Sequence, residues 1–229
     1  MNSLLTRFAV ASALFVSLAG AQAQVTFYTS SDAWNNAVNH PQTDDLNNLG
    51  GLVGQQLATP TVRQAGGYGY GFYAYDTVYG GAEAVQVGGT AQNAFMTVPN
   101  PWDILIIDNI TGNPNAFGVN LFGVSAQDNF VPFPVTLEIL DAKGRNQLYT
   151  FNPGSQSDSF IGVISDAAIQ IINVYPALGQ GGGSNVPYIA MDNVTFSDAT
   201  VVAVPEPSAW ALMLGGLGLV GFVARRRAA

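Results

Sequence analysis

The sequence predicts an all-β fold: a two-layer antiparallel β-sandwich, jelly-roll-like in topology, with one short N-terminal helix. Three observations predict it. Charged residues make up only 10% of the 229-residue chain, against roughly 25% in soluble domains, while Gly (26), Pro (12) and aromatics (11%) are plentiful. About ten short runs rich in β-branched and aromatic residues recur along the chain, separated by turn residues. They come with a single helical pattern and no alternation of strand and helix, which favours antiparallel sheets over parallel ones. At 48% hydrophobic, the chain has enough apolar surface to bury a core and does not read as disordered.

Residues 1–23 read as a secretory signal peptide. Arg7 supplies the positive start, residues 8–18 are uncharged and apolar, and Ala21-Gln22-Ala23 offers small residues where signal peptidase cleaves. Gln24 then begins the mature protein. Residues 25–28 form a first strand, and Ser31 caps a short helix whose buried face is Trp34, Ala37 and Val38. Pro41 ends that helix, and residues 44–54 read as loop.

Strands follow at 69–75, 84–87, 94–98, 104–107, 116–124, 135–140, 147–151, 159–164, 169–174 and 190–196. Residues 104–107 are continuously apolar, as in a strand buried on both sides. Residues 141–146 turn 135–140 back onto 147–151 as a hairpin. The exported domain thus spans 24–199, and 200–208 is a Pro-rich linker. Residues 209–224 are 16 uncharged positions; at ~1.5 Å each they span about 24 Å, slightly less than a ~30 Å hydrocarbon core. Trp210 suits one interface of a single transmembrane helix. Arg225, Arg226 and Arg227 in the 225–229 tail act as a stop-transfer signal that stays cytoplasmic.

Composition excludes some functions. Between Gln24 and Val204 stand three basic residues (Arg63, Lys143, Arg145) against 14 acidic ones, a net charge of about −11. Nucleic-acid binding needs a basic footprint and is excluded. No cysteine is present, so there are no disulfides, thiolate metal sites or thiol nucleophiles. His40 is the only histidine, which rules out multi-His zinc or iron sites, and no G-x-S-x-G elbow occurs. A glycosidase needs two carboxylates across a cleft, and Glu83 and Glu138 are the only glutamates inside the domain.

Two sets of residues remain as ligand candidates. Tyr68, Tyr70, Phe72, Tyr73 and Tyr75 alternate with glycines; along a strand the first three face one way and the last two the other, and an outward set would stack on sugar rings. Asp192 and Asn193 are candidates for calcium, which takes carboxylates and carbonyls from loops, as are Asp44, Asp45 and Asp158. No D-x-D-x-D-G loop supports them. No other cofactor is expected.

Val204, Pro205, Glu206 and Pro207, then a short Gly- and Leu-rich helix, then an Arg cluster, resemble the PEP-CTERM sorting signal recognised by exosortases. The same kind of tail is also described as an ice-binding protein C-terminal region, a name for the tail that carries no ice binding to this domain. The resemblance implies export across the inner membrane of a Gram-negative envelope. Transient anchoring by the C-terminal helix and processing near Pro-Glu-Pro follow, then delivery to the outer surface or beyond. Signal peptidase and exosortase are the implied partners. Segments 27–34, 116–120, 160–166 and 190–196 also resemble exported domains found ahead of such tails. They imply the sandwich and no activity.

Together these readings predict a non-catalytic surface or matrix protein that binds exopolysaccharide. The alternative is a secreted carbohydrate-active or other hydrolytic enzyme. N-terminal sequencing of exported protein is expected to begin at Gln24, and a retained Met1 would contradict the cleavage reading.

Overall fold

A computed structural model describes residues 25–177 and 187–199. The chain begins with β1 (Thr26–Tyr28), helix α1 (Ser31–Asn35) and β2 (Asn39–Asp44), then a 3-10 helix at Asn47–Leu52. The hairpin β3 (Thr61–Ala65) and β4 (Tyr68–Tyr75) is followed by β5 (Ala82–Glu83), β6 (Gln86–Thr90), β7 (Asn93–Thr97) and β8 (Ile104–Asp108). The long β9 (Ala116–Val124) precedes β10 (Phe130–Val131) and the hairpin of β11 (Val135–Asp141) and β12 (Asn146–Phe151). Strands β13 (Phe160–Ile164), β14 (Ile169–Pro176) and β15 (Tyr188–Asp198) complete the order.

Two antiparallel sheets result, as the sequence predicts. The first runs β1-β13-β9-β15-β7-β6, with β10 added to β9 and β2 added to β15. The second runs β12-β11-β14-β8-β4-β3, with β5 added to β4. From β12 onward each successive strand changes sheet, while β3–β4, β6–β7 and β11–β12 are hairpins within one sheet.

Alternation of side chains builds the core between the layers. Phe117, Val119 and Leu121 of β9, Ile161 and Val163 of β13, and Val194 and Phe196 of β15 face inward from the first sheet. Tyr70, Phe72, Leu105, Ile107, Leu137, Ile139, Ile172 and Val174 meet them from the second. One expectation needs correction here. Leu105 and Ile107 are buried, but Ile104 and Ile106 are only half-buried on the outer face of the second sheet. An apolar run shows that a strand is central, as β8 is; it does not show that a layer covers both faces.

The first sheet does have a partial cover. Trp34 of α1 lies on its outer face with Ala116, Ile164 and Phe160, and its Nε1 donates to the Val163 carbonyl at 3.3 Å. Gly118 and Gly162 lie under the indole; a Cβ at Gly162 would overlap it. The helix is shorter than its pattern and starts one residue earlier. Ser30, not Ser31, is the cap, accepting from the Ala33 amide at 3.3 Å, and the helix stops at Asn35 while Ala37 and Val38 still pack beside Trp34. Pro41, expected to end the helix, lies with His40 in β2 instead. That strand pairs β15 alone, and an edge position tolerates a residue lacking an N–H.

A charged tie joins the layers. Asp44, at the end of β2 in the first sheet, accepts from Arg63 of β3 at 2.5 and 2.6 Å and from the Tyr70 hydroxyl of β4 at 2.9 Å. Asp44 is buried, yet these bonds outweigh the desolvation that would raise its pKa and hold it below the usual carboxylate range. Burial, then the Asp44 charge, pushes the Tyr70 hydroxyl well above its ordinary value. Removing one member of a buried pair leaves the other uncompensated, so Arg63→Ala is expected to cost about 3 kcal/mol, and Tyr70→Phe about 1.5 kcal/mol. Chemical denaturation measures both; parental stability in Arg63→Ala would show that the tie is decorative.

Candidate functional site

The two outer faces of the sandwich differ in what they present. On the second sheet, register sets Leu148, Glu138, Asn173, Ile106 and Tyr73 side by side across five strands. Tyr175 and Tyr75 lie two residues further along β14 and β4, on the same face. Tyr75 is 39% exposed, Leu148 61% and Val62 77%, so apolar surface here meets solvent.

Hydrogen bonds stiffen this face. Asn173 donates to Glu138 Oε2 at 2.7 Å, and Tyr175 and Asn146 donate to the same carboxylate. Burial alone would raise the Glu138 pKa, but the three donors outweigh it and hold the group below its ordinary value. Burial and then the Glu138 bond push Tyr175 up to about 12. Tyr73 is raised by burial and then by the nearby Asp108 carboxylate.

The aromatic run therefore divides by parity, as an extended strand requires. Tyr70 (1% exposed) and Phe72 (0%) are core, and Tyr68 packs its ring 6.0 Å from Phe196. Those three are not available as a platform. Only Tyr73 and Tyr75 face outward. Tyr175 and Asn173, which join them, were not singled out from the sequence, and Glu138 was weighed only as a glycosidase carboxylate. The outward parity of β14 was readable, but the strand order that brings β14 two places from β4 was not.

On the first sheet, Trp34 covers one end of the outer face and a second cluster of Phe95, Phe122, Val124 and Ala190 covers the other. A polar groove of about 490 Å³ opens on this face, lined by Ser31, Asn93, Asn120, Gln156, Ser157, Phe160, Asp192 and Asn193. A bulge in β15 builds it: the pairing with β9 shifts between Asp192 and Thr195, and Asn193 adopts a left-handed φ of 55°. Asp192 Oδ1 accepts from the Asn193 amide at 2.7 Å, and Asn193 Nδ2 reaches Asn120 Oδ1 at 3.2 Å. Burial, and then the charges of Asp45 and Asp44, push the Asp192 carboxyl up to about 6 despite that backbone bond.

The calcium candidates do not converge as a set. Asp44 is engaged by Arg63, Asp45 Oδ1 accepts from the Asn47 amide at 3.1 Å, and Asp158 Oδ2 accepts from Ser155 at 2.9 Å. Among the described residues no three His, Asp or Glu side chains gather to hold a metal. Arg63, Lys143 and Arg145 each bind a carboxylate: Asp44, Asp166, and Asp141 with Asp166.

Ala21, Ala23, Gln24, the sorting residues Val204, Pro205, Glu206 and Pro207, the 209–224 segment and Arg225, Arg226 and Arg227 lie outside the described residues. Among the described residues no helix is long and apolar enough to cross a membrane. Residues 203–227 match the PEP-CTERM protein-sorting motif. The chain carries that motif. No curated protein and no solved structure matches the chain.

Two buried carboxyls set a pH signature. Asp103, in the loop before β8, is raised to about 6 by burial and by Glu83 and Asp76, although Asn100 donates to it twice at 3.0 Å. With Asp103 and Asp192 both above the ordinary 3.8, the folded state holds more protons than the unfolded one between roughly pH 4 and 6. Their contribution is complete below that window and is lost as pH rises through about 6; the lowered Asp44, Asp141, Asp166 and Glu138 act with the opposite sign, and only as pH falls below about 4.5. Asp103→Asn and Asp192→Asn are each expected to flatten the fall in melting temperature between about pH 4 and 6.5. An unchanged slope in both would contradict the burial argument.

Proposed function

We propose that this chain is an exported, exosortase-sorted surface or matrix protein whose sandwich is a non-catalytic module binding an extended, uncharged exopolysaccharide. The carrying observation is the PEP-CTERM protein-sorting motif at residues 203–227. A signal peptide at 1–23 and a transient anchor at 209–224 complete the delivery route, with signal peptidase and exosortase as processing partners. Pro205 and Pro207 keep the stretch above the membrane extended, the form a processing enzyme grips.

The binding assignment rests on the outer face of the second sheet. Tyr73 and Tyr75 present rings on one open sheet face, alongside Glu138, Asn173 and Tyr175, whose polar groups suit sugar hydroxyls. A row of groups across several strands matches an extended chain better than a compact ligand. The ligand is uncharged because every basic side chain among the described residues already holds a carboxylate, so an acidic polymer would meet an acidic surface without counter-charge. Hydrolysis would require a second carboxylate opposite the first, and Asp192 is the one carboxylate lining the groove.

Two measurements test this reading. Replacing Pro205, Glu206 and Pro207 by Ala, in a host with the sorting enzyme, is expected to leave the protein membrane-bound with its tail attached. Normal processing would reduce the segment to a linker. Tyr73→Ala with Tyr75→Ala is expected to weaken exopolysaccharide binding roughly tenfold or more, at about 1 kcal/mol per stacked ring, without lowering the melting temperature appreciably. A parent that binds no polysaccharide refutes the assignment.

A further inference from the structure

We propose that the groove beside Asp192 is a second saccharide site, taking one to three neutral sugar units, so that the sandwich holds separate glycan chains on its opposite outer faces. The proposal rests on the reading of the exported domain as a glycan-binding module and extends it to a different surface.

The groove is built differently from the tyrosine face. Its volume of about 490 Å³ suits a short oligosaccharide and far exceeds what a bare cation fills. Its lining is amide-rich, with Asn93, Asn120, Gln156 and Asn193 around a single ring, Phe160. Amides offer both donors and acceptors in fixed planes, which match the paired donor and acceptor character of sugar hydroxyls. One ring edge or face against several planar polar groups is a combination suited to a pyranose, apolar on one side and hydroxylated at its rim.

Asp192 offers the groove an acceptor. The residue is 5% exposed, Oδ1 is held by the Asn193 amide at 2.7 Å, and Oδ2 has no protein partner among the described residues. Oδ2 is not sealed from solvent and opens on the groove as an acceptor, while two further carboxylates, Asp44 and Asp45, disfavour a charge on the group. A ligand hydroxyl donating to Oδ2 offsets that repulsion. The bulge supports the same conclusion. Asn193 sits at a φ of 55°, a left-handed conformation that Asn tolerates better than most residues, and this places its amide against Asn120 across the groove wall.

Calcium fits less well. It needs six to eight oxygen ligands. The groove supplies one carboxylate, and the Asn120 carbonyl already accepts from Asn193.

Sites on opposite faces allow one molecule to bridge two polymer chains. That cross-links a matrix without oligomerisation.

The test uses the full exported protein with the neutral exopolysaccharide purified from the producing cells, whole and as hydrolysed fragments of one to three sugars. Three proteins are compared: the parent, Ser157→Trp with its new ring filling the groove from an exposed loop position, and the double variant Tyr73→Ala/Tyr75→Ala. Asp192→Asn is a fourth, isosteric variant. The parent is expected to bind fragments and to cross-link the whole polymer, read as turbidity. Ser157→Trp is expected to lose fragment binding at least tenfold and to lose turbidity, while still binding the polymer through the tyrosine face. The tyrosine variant is expected to lose turbidity and keep fragment binding, and Asp192→Asn to weaken fragment binding at least threefold. Fragment binding unaltered in both Ser157→Trp and Asp192→Asn overturns the groove as a site. Binding that appears only with added calcium, and vanishes in Asp192→Asn, overturns it in favour of a cation. Loss of polymer binding in the tyrosine variant alone, with no fragment binding by any protein, leaves the tyrosine face standing and removes the groove.

Discussion

The buried carboxylate of Asp44 is the point on which the two sheets depend. It ends β2 in one layer and receives Arg63 and Tyr70 from the other, so three strands in two sheets converge on one charge. A second network does similar work at the far turns, where Arg145 bridges Asp141 at the end of β11 to Asp166 just beyond β13, and Ser165 also donates to Asp141. A domain with few basic residues has committed them to holding its layers together. That commitment leaves the described residues an acidic surface without free counter-charge.

Asp44 also acts at a distance. With Asp45 it raises the cost of a charge on Asp192, whose strand β15 pairs with β2 through Val194, Thr195 and Phe196. The same element that pins the sheets together therefore tunes the groove. Bulge, left-handed Asn193 and buried carboxyl are local departures from ideal sheet geometry, and such departures concentrate where a surface contacts something else. The opposite sheet keeps an unbroken register across Leu148, Glu138, Asn173, Ile106 and Tyr73; its irregularity lies away from them, at Leu140 and Asp141.

Much of the fold was legible in the chain itself. The hairpin at 135–151, the long strand 116–124 and the closing strands were set out by β-branched runs and a polar turn, and the structure places them within a residue or two. The local signals misled where tertiary pairing outweighed them. His40-Pro41 reads as a break, yet an edge of β15 accepts it as strand. The helical pattern through Val38 is cut at Asn35, because the chain must turn to pair β2 with β15 while Trp34 stays seated on Gly118 and Gly162.

Sequence by itself determined the sorting motif at residues 203–227 and the class of the middle of this protein. A motif of that kind is contiguous, so it can be read in linear order without any tertiary contact. Alternation along 68–75 likewise determined that Tyr70 and Phe72 share one face and Tyr73 and Tyr75 the other. Only the tertiary structure decided which face was inside, because that depends on which sheet lies opposite. It also brought Tyr175 and Glu138 onto the tyrosine face and set Asp192 beside Asn120, through pairings between strands up to about seventy residues apart. Such contacts follow from how layers close over a shared core, a property of the whole set of strands that no single segment contains.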